Sequence, residues 1–175
     1  LNEKCIVNHS CYFGATNNNY TEFNQLDKHR VCGIKLFMGS STGNMLVDKT
    51  NSLLNIFNGT AMLIATHCES QEIIKKNTEY YKKMFSDAPE VPISKHPNIR
   101  SSAACYASTE LAVRMASLAG ARLHVLHVST AKELQLFSDI PLEEKHITAE
   151  ACVAHLLYRQ QDYKELGTRI KCNPS

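Results

Sequence analysis

Three side chains sit where their type and surroundings invite chemistry: Lys35, His67 and His127. Lys35 lies inside Val31-Cys32-Gly33-Ile34-Lys35-Leu36-Phe37-Met38, a short apolar, β-prone run that ends in Gly39-Ser40-Ser41-Thr42-Gly43. Such a run reads as a buried strand entering a loop. A bare ammonium is expensive to bury there, so the lysine must find a partner, lose its charge or be chemically changed. His67 ends the apolar run Ala61-Met62-Leu63-Ile64-Ala65-Thr66, and His127 ends Leu123-His124-Val125-Leu126. A single strand-end histidine is more often structural than a ligand. Two imidazoles and a lysine at one edge of a parallel sheet are better evidence, because parallel α/β folds build their sites at the carboxyl ends of strands.

The elements that must position them follow from periodicity and punctuation. Strands are expected over residues 5–13, 31–38, 61–66, 122–128 and 145–148, with one more beginning at 170–173. Residues 21–28 read as a short helix or turn. A helix over 48–57 places Leu53, Leu54 and Phe57 on one face and stops at Asn58-Gly59. Ser70 caps a helix to about residue 85, with Ile73, Ile74, Tyr81 and Met84 at helical spacing. Residues 87–97 are proline-punctuated loop. A second long helix over 101–119 carries Leu111, Met115 and Leu118 and is closed by Gly120. Ser129-Thr130 caps a helix over 131–137, and residues 149–160 read as helical. Helices between strands imply right-handed crossovers and a parallel sheet.

Strand parity separates the two histidines of Leu123-His124-Val125-Leu126-His127. Three residues apart, they should face opposite sides of a strand. His127, nearer the carboxyl edge, is the one assigned inward, and His124 is read as a hydrogen-bonded histidine against the helices. Cys68 is adjacent to His67 and so faces away from it, which argues against a nucleophile pair. Ser40-Ser41-Thr42-Gly43 resembles an anion-binding loop but lacks P-loop spacing and its lysine. Arg100 reads as a surface or interloop contact. Asp48, His96 and His146 have no assigned role.

Composition narrows the field. The 175 residues suffice for one ordinary domain, at 43% hydrophobic and 21% charged. A net charge of +2 without a basic, aromatic-interleaved run argues against nucleic acid. No apolar run approaches the ~20 residues of a membrane span, and no signal peptide is visible. Seven cysteines, an odd number without a C-x-x-C pair, read as reduced cytosolic thiols. Without a secretory signal, the sequons at Asn8, Asn19 and Asn58 read as chance matches. The first residue is Leu1, so the chain is expected to start inside a longer protein.

The run from Gly33 to Met38, then Thr66-His67-Cys68-Glu69, then Leu123-His124-Val125-Leu126-His127-Val128-Ser129 resemble the amidohydrolase superfamily in order and spacing. Within it, Ile147-Thr148-Ala149-Glu150 with His155-Leu156-Leu157, followed by Lys171-Cys172-Asn173-Pro174, looks like the class I dihydroorotases. The likeness runs from about residue 5 to residue 175. It implies an α/β fold, a partial (β/α)8 TIM barrel of the metallo-dependent hydrolase type covering about strands three to seven; a whole barrel takes about 250 residues. Residues 1–175 would be a single incomplete barrel segment. A His-x-His pair and an arginine are expected upstream. A last-strand aspartate, ligand and proton shuttle, is expected downstream, so no catalytic residue lies within the segment and the segment alone is expected to be inactive.

The resemblance also implies a metal set. Lys35, His67 and His127 would be ligands, with two Zn2+ per site in the whole protein bridged by N6-carboxylated Lys35. Attack on carbon dioxide needs a neutral amine, which burial favours. Asn173 would bind substrate through its amide, although an Asn before Pro174 is also ordinary turn chemistry. Ser175 stands where the family continues with a second proline. Glu150 and His155 match family positions and read as structural.

The implied activity is zinc-dependent, reversible hydrolysis of dihydroorotate to N-carbamoyl-L-aspartate in pyrimidine biosynthesis. The lysine strand fits hydantoinases and dihydropyrimidinase-like cyclic amidohydrolases equally, and the Thr148-Ala149-Glu150 and Asn173-Pro174 pair tips the choice to dihydroorotase. A non-catalytic scaffold on the same fold and a metal-free doubly wound α/β domain are the other readings, the latter without a G-x-G-x-x-G fingerprint. The expected partners are a small-molecule substrate, no nucleic acid and no membrane, with room for a homodimer, in the cytoplasm.

Overall fold

The computed structural model describes residues 4–39 and 44–175; Ser40-Ser41-Thr42-Gly43, likened above to an anion-binding loop, lies outside the described residues. Five parallel strands form one sheet: β1 (Cys11–Gly14), β2 (Val31–Phe37), β3 (Ile64–His67), β4 (Leu123–Val125) and β5 (Ile147–Ala149). They lie side by side in chain order, each hydrogen-bonded to the next. A doubly wound sheet reverses direction at a switch point. Here the order never reverses, which is the progression of a barrel wall.

Strand alternation explains the two faces. Ile34, Leu36, Ile64, Leu123 and Val125 share one face and are buried. They pack with Leu53, Ile56 and Phe57 of α1 (Thr50–Asn58) and with Ala112, Met115 and Ala116 of α4 (Ser102–Ala119). Burying a Leu or Ile side chain contributes about 1.5–3 kcal/mol, so this face fixes the register of every strand. The intervening positions, Lys35 and Phe37, Ala65 and His67, and His124, fall on the other face.

Capping sets the helix starts. The Ser70 side chain accepts from Ile73 N–H at the start of α2 (Gln71–Met84), and Ser101 accepts from Ala104 N–H at the start of α4. Gly120, at φ 63°, ends α4 in the left-handed conformation that glycine supplies at least cost. Among the described residues no helix is long and apolar enough to cross a membrane.

Several expected boundaries move. The first strand is only Cys11–Gly14; Ile6 and Val7, assigned to it, lie exposed ahead of it with no strand partner. Residues 87–97, read as loop, carry a 3-10 turn (Ile93–Lys95) and the start of α3 (His96–Ile99). Helix faces are also narrower than spacing suggested. Leu53, Ile56 and Phe57 are buried while Leu54 points out, and Met84 and Leu118 are exposed. The expected helix over 149–160 shrinks to α5 (Val153–Leu157), because Ala149 ends β5 and the Glu150 backbone stays in the sheet network, its N–H donating to Val125 and its C=O accepting from Val128. Residues 170–173 form no strand. A 3-10 turn (Gly167–Ile170) follows α6 (Tyr163–Leu166), and the last residues are held from the side by His96 Nε2 on Cys172 O at 2.8 Å.

Two measurements check this packing. All seven cysteines are free; Cys68 and Cys105 are buried while Cys11, Cys32, Cys152 and Cys172 are exposed. Burial pushes both buried thiols up to about 12. A thiol reagent at neutral pH should modify the four exposed cysteines rapidly and the buried two only after denaturation. Burial also holds His96 below its usual value, against the Cys172 carbonyl that favours its proton. The unfolded chain then binds the extra proton first, so stability contributed at His96 is full above about pH 6.5 and falls on acidification below it. Wild type should lose more stability than His96→Gln between pH 7.5 and pH 5, by denaturant titration.

Candidate metal centre

Two of the expected residues, His67 and His127, meet at the carboxyl edge of the sheet, and Lys35 lies on the same face as His67. In the β2–β3 register, Phe37 stands opposite His67 and Lys35 opposite Ala65. His67 is therefore on the face that carries Lys35, one step nearer the edge. β4 stops at Val125, two residues before His127. His127 adopts φ 42°, the one positive φ at a non-glycine residue among the described residues. Hydrogen bonds on either side over-determine that turn: Leu126 N–H donates to Thr66 O at 3.0 Å and Val128 N–H to Glu150 O at 2.8 Å. The following turn is fixed by Glu133, buried, which accepts from the hydroxyls of Thr130 and Thr109 at 2.7 Å each.

This geometry brings the imidazoles together edge-on, at an interplanar angle of 70°. His67 Nδ1 and His127 Nε2 are 3.1 Å apart, with ring centroids at 4.8 Å. Behind His67, its Nε2 lies 2.7 Å from Glu69 Oε2. Glu69 is 0% exposed and is gripped by Arg100, whose Nε donates to Oε1 at 2.9 Å and whose Nη2 contacts Oε2. Burial by itself would raise the Glu69 carboxyl; hydrogen bonds from His67 and Arg100 and the Arg100 charge outweigh it and hold it low. Gly39 closes over the same loop. A Cβ there would come within 1.8 Å of the Glu69 carbonyl oxygen, so only glycine lets the β2 loop lie against it.

Lys35 is half-buried on the same face, its Nζ 4.3 Å from the Phe37 ring centroid. Burial pushes its amine down to about 8, against the opposing pull of Cys68 and Glu150. His127 is pushed down to about 4 by burial, then by His67 and by Lys35, whose charge reaches it. Both shifts favour the neutral forms, in which an imidazole carries a lone pair and an amine is nucleophilic.

The donor set fits a zinc-like ion on three observations. Tetrahedral bonds of about 2.0–2.1 Å place two ligand nitrogens roughly 3.3 Å apart, close to the spacing of His67 Nδ1 and His127 Nε2. A carboxylate on the far nitrogen of His67 is the usual outer support of a metal-binding imidazole. The Nδ1 of His127 is buried without a partner, as in a ring held for what its Nε2 meets. Two imidazoles are an incomplete set. Among the described residues no group of three His, Cys, Asp or Glu side chains is placed to hold a metal ion, so a third anionic donor would have to come from Lys35 after modification or from other sequence.

Two expectations change. His124 does not face the helices. It pairs in register with Ala65, hence shares the face of Lys35, and its ring bonds Thr148 Oγ1 at 2.8 Å and Glu150 Oε2 at 3.2 Å. Parity failed because it was carried past Val125, where the strand has ended and the chain turns at His127. Arg100 is an interloop contact, as read, and it is part-buried, its side chain 10% exposed. Asn173 is exposed. Glu69 was passed over as a functional residue. Its signal was a carboxylate two residues beyond a strand-end histidine, in a stretch apolar enough to bury it.

A cavity of about 450 Å³ opens beside Arg100, and neither His67 nor His127 lines it. Arg100 and the N-terminal end of α4 form one wall; Ser129, Thr130 and His155 another; Tyr158, Arg159 and Cys172 close it. His155 Nε2 is held at 3.1 Å from Pro174 O.

Comparison with solved structures decides the fold. L-hydantoinase (dihydropyrimidinase) from Arthrobacter aurescens superposes with a TM-score of 0.82 at 22% identity, covering 96% of this chain and 37% of that one. Dihydropyrimidinase from Brevibacillus agri gives 0.74 at 20% identity, over 95% and 36%. The fold is a parallel α/β arc of the TIM barrel of those structures.

Among curated proteins, allantoinase from Deinococcus radiodurans is 24% identical over 178 residues, 98% of this chain and 38% of that protein. Allantoinase from Escherichia coli is 26% identical over 173 residues, 92% and 36%. The chain thus spans under two-fifths of the length of these relatives. No family model matches it. These relatives are allantoinases and hydantoinases, and they do not single out dihydroorotase.

The Glu69–Arg100 pair should dominate stability at this edge. Arg100→Met strands a buried carboxylate and is expected to cost about 3–5 kcal/mol in denaturant titration. Lys76→Met, which removes a solvent-exposed partner of Glu72, should leave the transition where it is.

Proposed function

We propose that residues 1–175 are one segment of the barrel of a metal-dependent cyclic-amide hydrolase of the hydantoinase and allantoinase kind. The observation that carries the reading is the 3.1 Å approach of His67 Nδ1 to His127 Nε2 at the carboxyl edge, with Lys35 on the same face. The activities named for the relatives support it.

His67 and His127 would hold a divalent ion such as zinc through these two nitrogens. When bound, the ion supplies Lewis-acid polarisation of an amide carbonyl and ionises water near neutral pH. The chain's own residues do the rest. Lys35, held toward its neutral form by burial, would add to carbon dioxide, giving a carbamate and releasing a proton. That converts a cation into the anionic ligand the site lacks. His127, turned into the mouth by its positive φ, meets His67 without bending β4. Phe37 and His124, on the same face, would flank a flat ring presented to the pair. The group that accepts the proton and returns it to the leaving nitrogen is assigned to an aspartate outside these residues.

Dihydroorotase is the second reading, carried by Thr148-Ala149-Glu150 with Asn173-Pro174. It comes second because the relatives named above are allantoinases and hydantoinases. Retention of Lys35, His67 and His127 argues against a non-catalytic scaffold.

The test is a substrate panel on the full-length protein loaded with Zn2+: hydantoin, allantoin, dihydrouracil and dihydroorotate. The expected result is turnover of one of the first three ahead of dihydroorotate, with His67→Ala losing metal and turnover together. Turnover of dihydroorotate alone would move the assignment to the second reading. A folded protein with neither metal nor turnover would defeat both.

A further inference from the structure

The hydrogens of the histidine pair can be assigned one by one. Ionised Glu69 has only acceptors, so the His67 Nε2 that lies 2.7 Å from Oε2 must carry a hydrogen. Arg100 donates to both oxygens of the same carboxylate, which keeps it ionised and aimed. Glu69 is fully buried, so water offers His67 no substitute partner there. Only one hydrogen then fits in the 3.1 Å gap between His67 Nδ1 and His127 Nε2. The two rings differ on their outer sides. His67 is locked by a carboxylate, whereas the outer nitrogen of His127, Nδ1, is buried and has no partner.

From this asymmetry we propose that Glu69, clamped by Arg100, is a positioning residue that keeps the His67 proton on Nε2, so that Nδ1 is always the atom offered to a metal and the hydrogen in the gap is the one the metal replaces. The inference rests on the metal-hydrolase reading of the same pair and deepens it. With both rings neutral, the gap hydrogen sits on His127 Nε2. Metal uptake needs lone pairs on His67 Nδ1 and His127 Nε2, so the His127 hydrogen leaves Nε2 and one is taken up at Nδ1. The protons balance and no net release is required from the two rings. Only His127 changes tautomer. Arg100 reaches this site from the junction of α3 and α4, so the tautomer of a β3 residue is set by a helix entrance.

The test is 15N NMR of the histidine side chains in the full chain, first with chelator and then with Zn2+. The expected result is His67 protonated at Nε2 in both conditions, with His127 passing from Nε2–H to Nδ1–H as zinc is added. In Glu69→Leu, His67 should become a mixture of tautomers and zinc affinity should fall about 10–100-fold, with Glu69→Gln, which keeps an acceptor, recovering part of the loss. Wild-type spectra carry the test if Glu69→Leu does not fold. A bare Nε2 on His67 in wild type overturns the positioning role. So does a folded Glu69→Leu with unchanged tautomer and unchanged affinity. Wild-type rings that ignore Zn2+ while His67 keeps its Nε2 proton overturn the metal reading instead, so the two failures are told apart.

Discussion

A carboxylate with no exposure to water must be surrounded by donors, and at the carboxyl edge of this sheet that requirement organises three loops at once. Glu69 follows β3, Arg100 precedes α4, and Gly39 follows β2 and lies against the Glu69 backbone. Left alone, a buried anion costs several kcal/mol. The Arg100 fork and the His67 ring meet that cost, and in doing so they fix where the ring stands. The strand register places His67 at the edge, and the carboxylate behind it fixes how its ring stands.

The remainder of the architecture supplies the second imidazole. Alternation sends the apolar side chains of β2, β3 and β4 to the helices and leaves the other face for Lys35, His67 and His124. His127 does not obey alternation. It is placed by a left-handed turn between two cross-loop hydrogen bonds, and Glu133 with its two threonines holds the segment that follows. A strained residue persists where its surroundings leave it no alternative, and here the strain brings a nitrogen to within 3.1 Å of its counterpart.

Legibility in the sequence tracks how local the determining forces are. The β2 run, the capped starts of α2 and α4, and the Gly120 stop depend on neighbours within a turn, and they were read close to their true bounds. The meeting of His67 and His127 was legible because strand ends in a parallel sheet share an edge. What escaped depends on distant partners. Arg100 is 31 residues from Glu69, and no periodicity joins them. The face of His124 was misjudged because the end of β4 is set by pairing with β5, which spacing within 122–128 does not reveal. The stretch from 149 to 160 has helical composition, yet its first residues are held by the sheet edge through Glu150 and its last pass into 3-10 turns.

The central claim is that the two facing nitrogens form half of a metal site. The most direct measurement is anomalous diffraction at the zinc absorption edge from crystals of the full-length protein grown with Zn2+. The account predicts a peak between His67 Nδ1 and His127 Nε2, within bonding distance of both and with Glu69 still on the far side of His67. A well-ordered pair with no peak between the rings, or zinc bound only elsewhere on the chain, would contradict it.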